Sequence, residues 1–214
     1  AKRIDSSKDE LKTLGKVVIN LQNSIPENSI LLLNVQQTGV YRSLYELKTY
    51  EYMIYWLSND LDLLPAVERA GKISPTTGFY SDVFSMTFSG RISDPTIALR
   101  CASLLENDVN VFVWETALHD LQTLKDIFAL QPSYGLVMDF ETKLLQKIVK
   151  SIGWKESVHD SPVKHERSKL RGRILRQAIR NNHPEVTQQA LHYFNLLKEG
   201  NQLDLDADSF ESVY

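Results

Sequence analysis

From Leu44 to the end of the chain, apolar residues return every three or four positions, and this period constrains the fold more than any other feature. Leu47, Tyr50, Ile54, Leu57, Leu61 and Leu64 lie on one helical face. Trp114, Ala117, Leu118, Leu121, Leu124 and Phe128 form a second stripe. Val137, Phe140, Leu144, Ile148 and Ile152 form a third, and Leu170, Ile174, Leu175 and Ala178 a fourth. A helix with one apolar stripe must bury it against another element, so stripes in succession predict stacked helices. The punctuation agrees. Pro65 predicts a short helix over 66–70, and Ser74-Pro75 opens another with Phe79, Val83, Phe84 and Met86 apolar. Asp94-Pro95 combines a capping carboxylate with a proline whose missing N–H is harmless at a helix start, ahead of Ile97, Ala98, Cys101, Ala102 and Leu105. Asn110 can cap the next helix. Gly153 ends one helix, Pro184 starts the last clear one, and Gly200 stops it. In that last helix Ala190, Leu191, Phe194 and Leu197 read as inward.

Residues 1–43 read differently. Val17, Ile19 and Leu21 alternate with polar residues, turn formers follow at 23–28, and 30–35 reads as a second strand. The expected architecture is mostly α. An incomplete HEAT-like α-solenoid of antiparallel helix pairs (44–214) follows a short β-hairpin or edge strands (1–43), which end a β-domain or form a ribbon. The longest expected break is the loop at 155–167.

Composition bounds the function classes. A chain of 214 residues can bury about 70% of its unfolded surface, enough for one domain and a small appendage. The net charge of −3 gives no global pull toward nucleic acid or anionic membrane. No apolar run approaches the ~18 residues that span a bilayer. The first residues lack the apolar core of a signal peptide. Cys101 is the single cysteine, which excludes an internal disulfide, and its neighbours mark it as a buried structural thiol. No Asn-x-Ser/Thr acceptor is present. Gly-x-Ser-x-Gly elbows, phosphate-cradling glycine loops and EF-hand loops are also absent.

Residues 34–46 read Asn-Val-Gln-Gln-Thr-Gly-Val-Tyr-Arg-Ser-Leu-Tyr-Glu. This resembles the "Asn-x-x-x-x-Gly-Tyr-Tyr-Arg-Val-Asn-Tyr-Asp" segment of zinc aminopeptidases of the aminopeptidase N and endoplasmic reticulum aminopeptidase type. Leu104-Leu105-Glu106 followed by Val113-Trp114-Glu115-Thr116-Ala117-Leu118 is similar to that family's "Tyr-Leu-x-x-Glu … Pro-Trp-x-x-Ala-Leu". Ile152-Gly153-Trp154, Leu170-Arg171, Ala190 to Phe194 and Val213-Tyr214 resemble further motifs in the family's order. The departures are Val40 for a tyrosine, Ser43-Leu44 for "Val-Asn", a missing arginine near 77–82, and no cysteine pair around 181–186.

The resemblance implies a partial copy of the helical C-terminal domain, beginning after the zinc chemistry and stopping before the family's last helices. Its function would be non-catalytic: walling the substrate cavity and confining or binding the peptide. The implied partners are the catalytic and β-domains of a parent aminopeptidase and its peptide substrate. Zinc is expected in that parent and not in this chain. The implied setting is an extracellular or membrane-anchored ectoenzyme, with endoplasmic reticulum and cytoplasm left open. The alternative is a free-standing α-solenoid that binds a peptide or protein. Self-association is a further expectation, through the strand at 30–35 or the apolar surface around Leu175, Ala190 and Phe194.

The residues offer no catalytic, cofactor or metal set. A zinc peptidase needs His-Glu-x-x-His, because two histidines one helical turn apart converge on the ion. Here His165-Glu166 is followed by Arg167-Ser168-Lys169, and the Gly-x-Met-Glu-Asn motif is missing. Glu115 and His119 have a spacing that could share a metal, though a surface pair is the plainer reading. Seven basic residues fall within 164–180. The candidate partner-binding residues among them are Lys169, Arg171, Arg173, Arg176 and Arg180. One reading is a solvated helix face, the other a cationic wall for a peptide carboxylate or an acidic partner. Nucleic acid fits poorly, since no aromatics interleave with these cations. Tyr52, Tyr55, Trp56, Phe112 and Trp114 read as core.

Overall fold

A computed structural model describes residues 31–34, 39–59, 75–155, 164–205 and 207–213. It divides into two units, Ala1–Leu31 and Leu32–Tyr214, and the second is described here. Among the described residues the fold is all-helical. The elements are α1 (Leu47–Asn59), α2 (Pro75–Phe88), α3 (Thr96–Ala102), a 3-10 turn (Ser103–Asn107), α4 (Val111–Phe128), α5 (Tyr134–Ile152), α6 (Lys164–Arg180), α7 (Pro184–Lys198) and α8 (Ala207–Phe210). The expected strand at 17–21 and helix at 66–70 lie outside the described residues, as does most of the expected loop at 155–167. Of the expected strand at 30–35, residues 31–34 are described and are not in a strand. Asn34 is left-handed there, at φ 51°.

That backbone reversal explains the Asn-x-x-x-x-Gly spacing. The Asn34 side chain closes the loop on itself: Nδ2 donates to the carbonyls of Gly39 (2.9 Å) and Tyr41 (3.0 Å), and Oδ1 accepts from Gly39 N–H (2.9 Å). Only a side-chain amide offers both donors and an acceptor in one plane. The next residues are pinned to α2. Asp82 accepts from Arg42 Nη1 (3.2 Å) and from Ser43 N–H (2.8 Å). Tyr45 Oη accepts from Leu33 N–H, and its ring meets Tyr50 edge-on at 5.5 Å.

Two helix starts carry the side-chain contact expected of them. Asp94 Oδ1 takes Thr96 N–H (3.0 Å), and Asn110 Oδ1 takes Phe112 N–H (2.9 Å). Gly153 and Gly200 close α5 and α7 at φ 61° and 82°. Each helix touches its neighbours in sequence from α4 to α7, and α2, α4, α6 and α8 touch one after another as next-but-one neighbours. On the other side α1 contacts α3 and the 3-10 turn, which packs on α5. Trp114, Leu121, Leu144, Leu145, Ile148, Leu170, Ile174 and Leu175 are sealed from solvent. Fully burying one such aliphatic side chain stabilises the fold by about 1.5–3 kcal/mol.

Two helical faces differ from expectation. On α7, Val186 and Ala190 are buried, while Leu191 is 58% and Phe194 37% exposed. The buried stripe is 186–190, so Leu191 falls one position off it. On α1, Tyr52 and Tyr55 point outward instead of into the core, because Tyr50, Met53, Ile54 and Leu57 already fill the inner face.

Candidate functional site

The basic residues of α6 divide into separate groups. Arg171 is fully buried, and its Nε donates to the Ile152 carbonyl at 3.3 Å. Arg167 Nη2 donates to the Ser151 carbonyl. These cations satisfy the open carbonyls at the C-terminus of α5 and match the negative end of its dipole. Arg171 thus lies inside the helix packing and not on the exposed face of α6. Lys169 is exposed and lies apart from the cleft described next.

Arg173, Arg176 and Arg180 line one cleft. With Leu118, His119, Gln122 and Gln177 they enclose about 480 Å³ between α4 and α6. The spacing of three and four residues puts these guanidinium groups on one helix face. Arg173 reaches Glu115 at 3.4 Å, and Arg176 pairs with Glu211. Arg180 forms no ion pair among the described residues, so the cleft keeps a cation facing solvent. Glu115 thus meets α6 through Arg173.

Beneath the cleft lies a buried polar knot. Lys125 and Glu141 are 4% and 1% exposed, and Lys125 Nζ lies 3.0 Å from Glu141 Oε2. The same oxygen accepts from Gln177 Nε2 (3.1 Å) and Asn181 Nδ2 (2.9 Å). Gln177 also donates to Asn181 Oδ1 (3.2 Å). One carboxylate therefore ties α4, α5 and the end of α6 together, and Gln177 links the knot to the cleft floor. A signal existed in the sequence: Lys125 continues the stripe of Leu118 and Leu121, and Glu141 falls between Val137 and Leu144. Opposite charges at inward positions of consecutive helices predict a buried pair.

A second cleft, of about 570 Å³, opens between α2 and α4. Arg42, Ser81, Ser85, Phe88, Thr116, His119 and Asp120 are among its lining residues, so His119 borders both clefts. Asp120 Oδ2 is sealed from solvent and accepts no hydrogen bond. Burial pushes the Asp120 carboxyl up to about 6, against the opposing charges of His119 and Arg42. Burial also pushes the Cys101 thiol well up, which leaves it unreactive.

Among the described residues no three His, Cys, Asp or Glu side chains converge as a metal site. His165 and Glu166 sit in the first turn of α6, with Arg167 and Ser168 next to them, a donor set unsuited to zinc. His183 precedes α7, buried, with Nδ1 unpartnered. His159 lies outside the described residues. No described helix is long and apolar enough to cross a membrane.

A stack of short amphipathic helices, with an asparagine-clamped entry loop and no described catalytic set, has its counterpart among known proteins. The family model of the ERAP1-like C-terminal domain matches residues 30–214. The chain belongs to this family, the C-terminal helical domain of aminopeptidase N-type proteins. It is 24% identical over 197 residues to a glutamyl aminopeptidase of Bitis rhinoceros, which covers 90% of this chain and 19% of the relative. It is 27% identical over 130 residues to aminopeptidase Ey of Gallus gallus, covering 61% of this chain and 12% of that protein. Tricorn protease-interacting factor F2 of Thermoplasma volcanium is 24% identical over 165 residues, 77% of this chain and 19% of that protein. The chain thus spans at most about a fifth of these relatives.

Proposed function

We propose that this chain is a non-catalytic wall of an aminopeptidase's substrate cavity, and that it holds the carboxylate end of a peptide in the cleft of Arg173, Arg176 and Arg180. In this reading the helices α1 to α8 form a HEAT-like α-solenoid. The solenoid reading draws support from the run of next-but-one contacts through α2, α4, α6 and α8. The observation that carries the binding role is the clustering of three guanidinium groups around one cleft, with Arg180 unpaired among the described residues. A carboxylate held by a guanidinium makes paired, charge-assisted hydrogen bonds, about twice as strong as neutral ones. The wall role fits a domain in whose described residues no three His, Cys, Asp or Glu side chains converge, beside relatives that include aminopeptidases.

The test is fluorescence anisotropy with an N-terminally dye-labelled nonapeptide, presented with a free carboxylate or a C-terminal amide. Amidation should weaken binding by about tenfold, the loss of one charge-assisted contact. Arg180→Gln should remove the difference between the two peptides. Equal binding of acid and amide by the unmodified chain would refute the carboxylate role.

A further inference from the structure

The α2–α4 cleft poses a chemical question that the arginine cleft does not. Asp120 is partly buried at its wall and pairs with no cation among the described residues. The guanidinium that lines the same cleft is committed elsewhere, since Arg42 Nη1 donates to Ser81 Oγ (2.7 Å) and to Asp82. The charged and titratable groups that face Asp120 are His119 on its own helix, Arg42 from the segment before α1, Tyr80 from α2 and Cys101 from α3. Tyr80 and Cys101 are buried, with proton affinities raised further by burial, so both stay neutral and give the carboxylate no compensating charge. An ionised carboxylate in such a place has two ways to lower its energy: take a proton, or take a cation from outside. The hydroxyls of Ser85 and Thr116 on the same cleft can accept the remaining protons of an ammonium or guanidinium.

We propose that the α2–α4 cleft is a pocket for the lysine or arginine side chain of a peptide, with Asp120 as its counter-ion. This rests on the reading that the peptide's terminal carboxylate lies in the adjoining arginine cleft. His119 borders both clefts, so one peptide can place its carboxylate on α6 and a basic side chain between α2 and α4. The Asp120 carboxylate and the arginine cleft are opposite in charge, and a peptide bridging them would lie in one direction only.

The experiment uses the full chain and four dye-labelled nonapeptides, with lysine or norleucine near the C-terminus and with an acid or amide end. At pH 7.5 the lysine peptide should bind about tenfold tighter than its norleucine analogue, the range of a single charge-assisted contact. The preference should fade as the pH falls to 5, because a proton and the ligand's cation compete for the same carboxylate. Asp120→Asn should abolish the lysine preference and leave the norleucine peptide's affinity unchanged, which also certifies the variant's fold. Equal binding of lysine and norleucine peptides, with the acid-over-amide preference intact, would overturn this pocket and leave the carboxylate reading standing. Binding of none of the peptides would overturn both.

Discussion

Trp114 shows how much one side chain can carry in a small helical stack. It is fully buried, and its indole Nε1 donates to the Asp108 carbonyl at 2.8 Å, so it fills the core and pins the turn before α4. Trp114→Ala should cost about 3–5 kcal/mol, measured by denaturant unfolding. Asp120 acts in the opposite direction. Its carboxyl is raised to about 6 in the fold, above its unfolded value, so its contribution favours the fold at low pH and is lost as pH rises through 6. Asp120→Asn should therefore stabilise the chain at pH 7.5 by under about 1 kcal/mol, after allowance for solvent screening. The gain should shrink toward pH 4, and melting temperatures across that range will check it. Trp114 was legible as core from its stripe, because it repeats with Ala117, Leu118 and Leu121. Asp120 was not, because one carboxylate on a helix face looks the same in sequence whether its neighbours are water or Tyr80.

At the scale of elements, α6 and α8 meet through a glycine. A Cβ on Gly172 would stand 2.4 Å from the Asp208 carbonyl oxygen, a backbone atom that cannot swing away. Ser168 Oγ bonds Asp208 Oδ2 (3.1 Å), and Ser212 Oγ reaches the Gly172 carbonyl (3.3 Å). Gly172→Ala should lift α8 from α6 and cost about 1–3 kcal/mol despite alanine's better helix propensity. Faster amide exchange across 207–213, with α4 and α5 unchanged, is the expected readout. Helix existence and most ends were legible, because Asp94, Asn110, Gly153, Pro184 and Gly200 act locally through caps and stops. The outer faces of α1 and α7 were not. Tyr52, Leu191 and Phe194 are apolar enough to suit either side, and only the positions of neighbouring helices decide. The burial of Arg171 was not legible for the converse reason: it donates to a carbonyl on α5, and backbone acceptors leave no mark in a sequence.

For the whole molecule, the helical family was legible through motif order, while the two clefts required the packing of α2, α4 and α6 to become visible. Purified chain incubated with zinc should release no chromophore from an aminoacyl anilide above background. Chelator-sensitive turnover with one metal per chain would reverse the non-catalytic reading. The Lys125–Glu141 pair bears on a different problem. Near-repetitive apolar stripes invite a helix to slip along its neighbour by a turn, a displacement of about 5.4 Å that still matches apolar to apolar. A slip of α5 against α4 would strand Glu141 in hydrocarbon with Lys125 out of reach, and an unmatched buried charge costs about 3–5 kcal/mol. The pair thus works as a proofreading mark that penalises the wrong alignment more than it strengthens the right one. The double variant Lys125→Met with Glu141→Leu removes the charges but also the acceptor of Gln177 and Asn181, so it should cost about 1–3 kcal/mol, less than either single charge removal. It should also show broadened core resonances and binding of an apolar dye, the signs of a stack that has lost its register.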